Sequence, residues 1–184
     1  MAKSNNNVLT HGLSGKIGDL IVFSQRNGRT VVSAVPRKSD KEETEKQKET
    51  RRRFQKAVLY ASVARHEDNY LNAAERKDKS AYNVAVADFL TAPNIEKVDL
   101  SGYSGQEGDR ILITVTDDFA VKAVTVRITN SDGTLAEDGP AEPTEVGYEW
   151  VFTARRENDN LAGDRIEIFA SDEPGNTSIL EQDF

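Results

Sequence analysis

From Ile95 onward the large apolar residues recur at every second position: Ile111, Ile113 and Val115; Val124, Val126 and Ile128; Tyr148, Trp150 and Phe152; Ile166, Ile168 and Ala170. Period two puts one face of an extended strand on a core and the other in water, a pattern no amphipathic helix can bury. The runs are separated by Ser104-Gly105, Asp117-Asp118, Ser131-Asp132-Gly133, Asn158-Asp159-Asn160 and Pro174-Gly175-Asn176, all residue types that turn a chain. With Val98-Leu100 and Ile179-Leu180 they predict six or seven short strands in about ninety residues, the size and rhythm of a two-sheet sandwich. Trp150 is expected in the centre of its core.

Before Pro93 the pattern changes. Leu20-Ile21-Val22-Phe23 and Thr30-Val31-Val32-Ser33-Ala34-Val35 flank Asn27-Gly28, the favoured pair for a type I′ turn, which predicts a β-hairpin. A two-residue turn there sets Phe23 opposite Val32 and Ile21 opposite Ala34. Such a ribbon is marginal alone and must pack on something. Gly12, Gly15 and Gly18 precede it and mark a looped stretch. After Pro36, Ser39-Asp40-Lys41-Glu42 has capping-box spacing. The helix that follows has no large apolar residue until Phe54, where Phe54, Ala57, Val58 and Ala61 form a stripe. Shorter helices are expected at residues 70–74 and 81–90, the second capped by Ser80 and buried through Tyr82, Val86, Phe89 and Leu90. Thr91-Ala92-Pro93-Asn94 ends it. The fold class is therefore α+β. Residues 1–94 hold an arm and β-hairpin (1–36) and helices (39–90), and residues 95–184 hold an all-β sandwich.

Charge is unevenly divided. Residues 1–94 carry 17 Lys/Arg against 11 Asp/Glu, a net +6, and residues 95–184 carry 7 against 20, a net −13. A basic half joined to an acidic half favours head-to-tail association or docking on an acidic partner. The absence of cysteine removes disulfides, thiolate metal sites and cysteine nucleophiles. The polar N-terminus has no secretory h-region, and no apolar run approaches the ~20 residues that span a bilayer. The chain is thus expected to be made as a soluble cytoplasmic protein without membrane insertion, reaching any extracellular or viral assembly by another route.

Little here has the form of a reaction centre. Gly12-Leu13-Ser14-Gly15-Lys16 lacks phosphate-loop spacing, and Ile17 stands where the magnesium-binding hydroxyl belongs. His11 and His66 are isolated, with no nucleophile elbow beside either, so no enzyme is expected. Asp117, Asp118 and Asp172 lie in loops that a sandwich can gather at one end, where hard oxygens suit calcium, though Asp is also an ordinary turn residue. No cofactor is otherwise expected. Arg51, Arg52 and Arg53 form a basic patch that would suit phosphates, but Glu42, Glu43, Glu45 and Glu49 pair with such side chains along a helix. Nucleic-acid contact is the less favoured reading.

Two stretches, Val115-Thr116-Asp117-Asp118-Phe119-Ala120-Val121 and Ala170-Ser171-Asp172-Glu173-Pro174-Gly175-Asn176, resemble phrases of the immunoglobulin-like domains of bacterial surface and phage proteins. The resemblance covers residues 95–184 and implies an immunoglobulin-like fold, with no activity attached. The first half is similar to a family of small bacterial, mostly Bacteroidota-type, proteins through Ser14-Gly15-Lys16-Ile17-Gly18, residues 29–36, Thr44-Glu45-Lys46-Gln47, Arg51 and Phe54; that family implies no site residues. The expected role is a non-catalytic structural or interaction protein. It would associate with itself or with other assembly proteins, as a virion or appendage component, through Ile21, Phe23, Val32, Phe54 and Val58. An immunoglobulin-like binding module for a cation or sugar is the alternative, and a nucleic-acid-binding accessory protein a third.

Overall fold

A computed structural model describes residues 2–4, 10–26, 29–35 and 42–184. The Asn27-Gly28 turn and the Ser39 cap lie outside them. The chain divides into two compact units, residues 1–44 and 45–184.

The first unit is a four-stranded antiparallel sheet of β1 (Ala2–Ser4), β2 (Gly15–Ile17), β3 (Ile21–Arg26) and β4 (Arg29–Ala34), in the order β1-β4-β3-β2. The central hairpin has the expected register, with Phe23 opposite Val32 and Ile21 opposite Ala34. Gly12, Gly15 and Gly18 all take positive φ, at 77°, 114° and 55°, which is why the chain turns sharply before β3. The Gly15-Lys16 step lies in a strand, and Lys16 Nζ pairs with Asp19 at 2.6 Å.

The second unit begins with three helices, α1 (Glu45–Ala64), α2 (Asp68–Lys77) and α3 (Ala81–Leu90). Their small core joins Ala61, Ala64, Tyr70, Ala73, Val84 and Ala85. Alanines on the facing sides let helix backbones approach closely, and Tyr70 fills the space they leave. The α1 stripe differs from expectation at its start: Ala57, Ala61 and Ala64 are buried, whereas Phe54 is 51% exposed. Likewise α3 buries Val84, Ala85 and Asp88, leaving Tyr82, Val86, Phe89 and Leu90 half-buried. Ser80 caps α3 as expected, accepting from Asn83 N at 3.2 Å.

Seven strands follow: β5 (Asn94–Asp99), β6 (Arg110–Thr116), β7 (Val121–Thr129), β8 (Leu135–Pro143), β9 (Glu149–Thr153), β10 (Arg165–Asp172) and β11 (Thr177–Asp183). All pairings are antiparallel, in the order β11-β10-β7-β8-β9-β6-β5. Most of β8 pairs with β7, while Glu142 and Pro143 at its end pair with β9. The sheet therefore bends at β8 into two layers, β5-β6-β9 and β8-β7-β10-β11, making a β-sandwich. Every second residue of β6 and β10, and of β7 from Val124 onward, is buried as the alternation predicted, and Trp150 and Phe152 join them in one core. At roughly 1.5–3 kcal/mol for each large apolar side chain removed from water, this core dominates the stability of the unit.

The compact units meet between Thr44 and Glu45, and the change of period at 94/95 falls within the second of them. Helices and sandwich form one unit because polar groups cross between them. Asn176 Nδ2, between β10 and β11, reaches the carbonyls of Asp88 and Phe89 at 3.3 Å and of Thr91 at 3.1 Å. Phe119, between β6 and β7, stacks on Tyr70 with ring centroids 4.4 Å apart.

Candidate functional site

Asp88 is the one carboxylate on the buried stripe of α3, and it is fully buried. The end of the sandwich that meets α3 is formed by the β6–β7 loop, which carries Asp117, and the β10–β11 turn, which follows Asp172. Asp88, Asp117 and Asp172 each place a carboxylate oxygen so that all three lie within 4.8 Å of one another. Three acidic groups from three separate elements thus converge at the seam between helices and sandwich.

Their partners are unequal. Asp172 is well supplied: Oδ1 accepts from Gly175 N at 2.8 Å and Asn176 N at 2.6 Å, and Oδ2 from Asn176 Nδ2 at 2.7 Å. Asp88 Oδ2 accepts from the Tyr70 hydroxyl. That hydroxyl has one hydrogen to give, so in the 2.7 Å contact between Tyr60 and Tyr70 the donor is Tyr60. Asp117 Oδ2 accepts from Ala120 N at 3.1 Å. Asp88 Oδ1 and Asp117 Oδ1 are buried with no hydrogen-bond partner among the described residues. An orphaned buried carboxylate oxygen is costly, and two in one cluster are unusual in a native fold.

The electrostatics follow. Burial pushes the Asp88 carboxyl up to about 7, opposed by the Tyr70 hydrogen bond and reinforced by the charges of Asp172, Asp117 and Asp118. Burial also raises Asp117, and the adjacent Asp118 adds to it. Desolvation, with its hydroxyl committed to Asp88, pushes Tyr70 well above the ordinary tyrosine range. Lys77 reaches this seam, and there it donates to the backbone carbonyl of Asp118, not to a carboxylate. The cluster can relieve its charge by holding protons or by holding a cation.

Of the acidic residues singled out by sequence, Asp117 and Asp172 come together, while Asp118 is exposed and stands outside the triad. Asp88 was missed. The signal for it was present: an aspartate at i+3 and i+4 from Ala85 and Val84 breaks an apolar face, and a carboxylate seldom goes there unpaired.

The expected contact residues share a face of the first sheet, where cross-strand pairing lines up Ile17, Ile21 and Ala34, and beside them Gly15, Phe23 and Val32. Ile17 is 60% and Ile21 39% exposed, and Phe23 and Val32 are half-buried. On α1, Phe54 is exposed and Val58 half-buried. Arg51, Arg52 and Arg53 are exposed there too, and Arg53 Nη2 donates to Leu90 O at 3.1 Å, closing the C-terminus of α3. Lys48 pairs with Glu45 at 2.8 Å, the kind of intrahelical pairing expected. His11 is exposed in the first unit, and His66 is exposed between α1 and α2, accepting from Arg65 Nε at 3.1 Å. No described helix is long and apolar enough to cross a membrane.

No protein-family model matches the chain, and no curated protein matches it. Among solved structures it is similar to CopC from Methylosinus trichosporium OB3b, with 12% identity and a TM-score of 0.38 over 50% of this chain and 90% of that one. A likeness that slight carries no argument about fold or function.

Proposed function

We propose that this chain is a non-catalytic structural protein that associates with copies of itself through the apolar face of its N-terminal sheet, as a component of a larger assembly such as a virion or appendage. The observation that carries the reading is the exposed row of Ile17, Ile21 and Ala34 across three strands. Leu20, 76% exposed in the turn between β2 and β3, adds to it. Among the described side chains of this unit only Thr30 and Val31 are buried. With so little core among its described residues, a sheet of this size gains stability from covering the apolar row.

Association by the face fits better than strand addition at an edge. The edge strands β1 and β2 are three residues each, and β2 carries Lys16 at its centre; short edges, and a lysine on one, discourage pairing with another strand. The sandwich is read as an immunoglobulin-like module. Supporting this, its first, second and fifth strands share one layer and its third, sixth and seventh the other, with the fourth bridging the two.

Replacing Ile17 and Ile21 with lysine tests the proposal. Light scattering should give a mass near 20.4 kDa for the double variant and a multiple of it for the wild type. An unchanged oligomer in the variant rules out this face. High salt should leave or strengthen the association, because burial of apolar surface is not screened. Loss of association in salt would assign it instead to contacts between the basic and acidic halves.

A further inference from the structure

The geometry points to a calcium-class divalent-cation site formed by Asp88, Asp117 and Asp172, where α3 meets the β6–β7 and β10–β11 loops. Three observations carry it. First, oxygens bound to one calcium at 2.3–2.6 Å can stand at most about 5 Å apart, and the three carboxylate oxygens lie within 4.8 Å of one another. Second, the fully buried Asp88 spends Oδ2 on Tyr70 and leaves Oδ1 without a partner, and Asp117 Oδ1, also buried, has none among the described residues. These orphaned oxygens belong to the convergent carboxylates, so the site lacks an electropositive group. Third, the ligands come from a helix, a loop and the end of a strand, and Asn176 already joins that helix to that strand end, so a cation there would tie together elements that are distant in sequence.

Hard carboxylate oxygens select calcium, magnesium or manganese over soft metals. Three carboxylates furnish one oxygen each toward the six to eight that calcium takes, with water or carbonyls completing the shell, whereas magnesium requires near-ideal octahedral geometry at shorter distances. Burial of Asp88 lowers the local dielectric and strengthens the attraction for any cation held there.

The test uses the full chain, freed of metal with chelator and dialysed into physiological salt. Thermal unfolding is followed by circular dichroism with calcium chloride or magnesium chloride at about 10 mM, ten to a hundred times the dissociation constants of weak calcium modules. Terbium luminescence excited through tyrosine reports binding directly, since Tyr70 is hydrogen-bonded to a proposed ligand. The expected result is a rise in Tm of roughly 5–10 °C with calcium, a smaller one with magnesium, and tyrosine-sensitised terbium emission that calcium displaces. In Asp88→Asn and Asp117→Asn both responses should fall at least tenfold in apparent affinity, while far-ultraviolet dichroism stays native. Absence of a calcium shift in the wild type overturns the proposal. So does a shift retained by both variants, which would place the cation on other acidic loops, or an equal response to magnesium. Self-association plays no part in these readouts, so either proposal can fail without the other.

Discussion

Replacing Asp88 with asparagine should stabilise the metal-free protein at alkaline pH and do little in acid. The Asp88 carboxyl is raised from 3.8 to about 7 by burial among other acids. Each pH unit between folded and unfolded values is worth about 1.4 kcal/mol, so ionising Asp88 inside the fold costs on the order of 4 kcal/mol. Because the folded-state value is the higher one, the folded protein holds a proton that the unfolded chain releases. Its contribution to stability is full below about pH 4, declines as pH rises, and is lost above about pH 7. Asparagine keeps an oxygen for the Tyr70 hydroxyl and puts an amide N–H where Oδ1 stood without a partner. The gain over wild type should be about 3–4 kcal/mol at pH 8, falling below about 1 kcal/mol at pH 4. For a chain of this size that corresponds to roughly 10 °C in Tm at pH 8. Urea unfolding in chelator at the two pH values measures it. An equal gain at both, or a loss at pH 8, would refute the reasoning, since it would mean that Asp88 is not a strained carboxylate.

Two further changes test the framework around the cluster. Asn176→Ala removes the amide that reaches the Asp88, Phe89 and Thr91 carbonyls and Asp172 Oδ2, and should cost about 2–3 kcal/mol in urea unfolding; a cost under about 0.5 kcal/mol would mean that these contacts do not tie helix to sandwich. Phe152→Ala opens a cavity in the centre of the sandwich core and should cost about 3–5 kcal/mol, while Leu59→Ala, on a residue 70% exposed, should change stability by less than about 0.5 kcal/mol.

The strands most readable in sequence are those whose β-branched residues alternate strictly, such as Ile111, Ile113 and Val115, because burial on one face leaves no other register open. β8 was hardly readable. Its sequence, Leu135 to Pro143, has two prolines, a glycine and three acidic residues, and it buries Glu137, Gly139 and Ala141 in place of large apolar side chains. Position, not propensity, makes it a strand: it lies between β7 and β9, where Pro140 and Pro143 fall at sites the ladder tolerates. The hairpin register followed from its two-residue connection alone. The helix faces were misread because alanines, which carry little hydrophobic weight, mark the buried side of α1, and an aspartate marks that of α3. The cluster was half legible. Asp117 and Asp172 sat in turn phrases that invite an oxygen-ligand reading, but Asp88 lies far from both in sequence and joins them only through tertiary folding, which no local pattern encodes.

Light scattering of the purified full chain across a wide concentration range tests the central claim, self-association through the N-terminal sheet, most directly. Discrete multiples of 20.4 kDa that persist in high salt are expected. A single mass of 20.4 kDa at every concentration would contradict it.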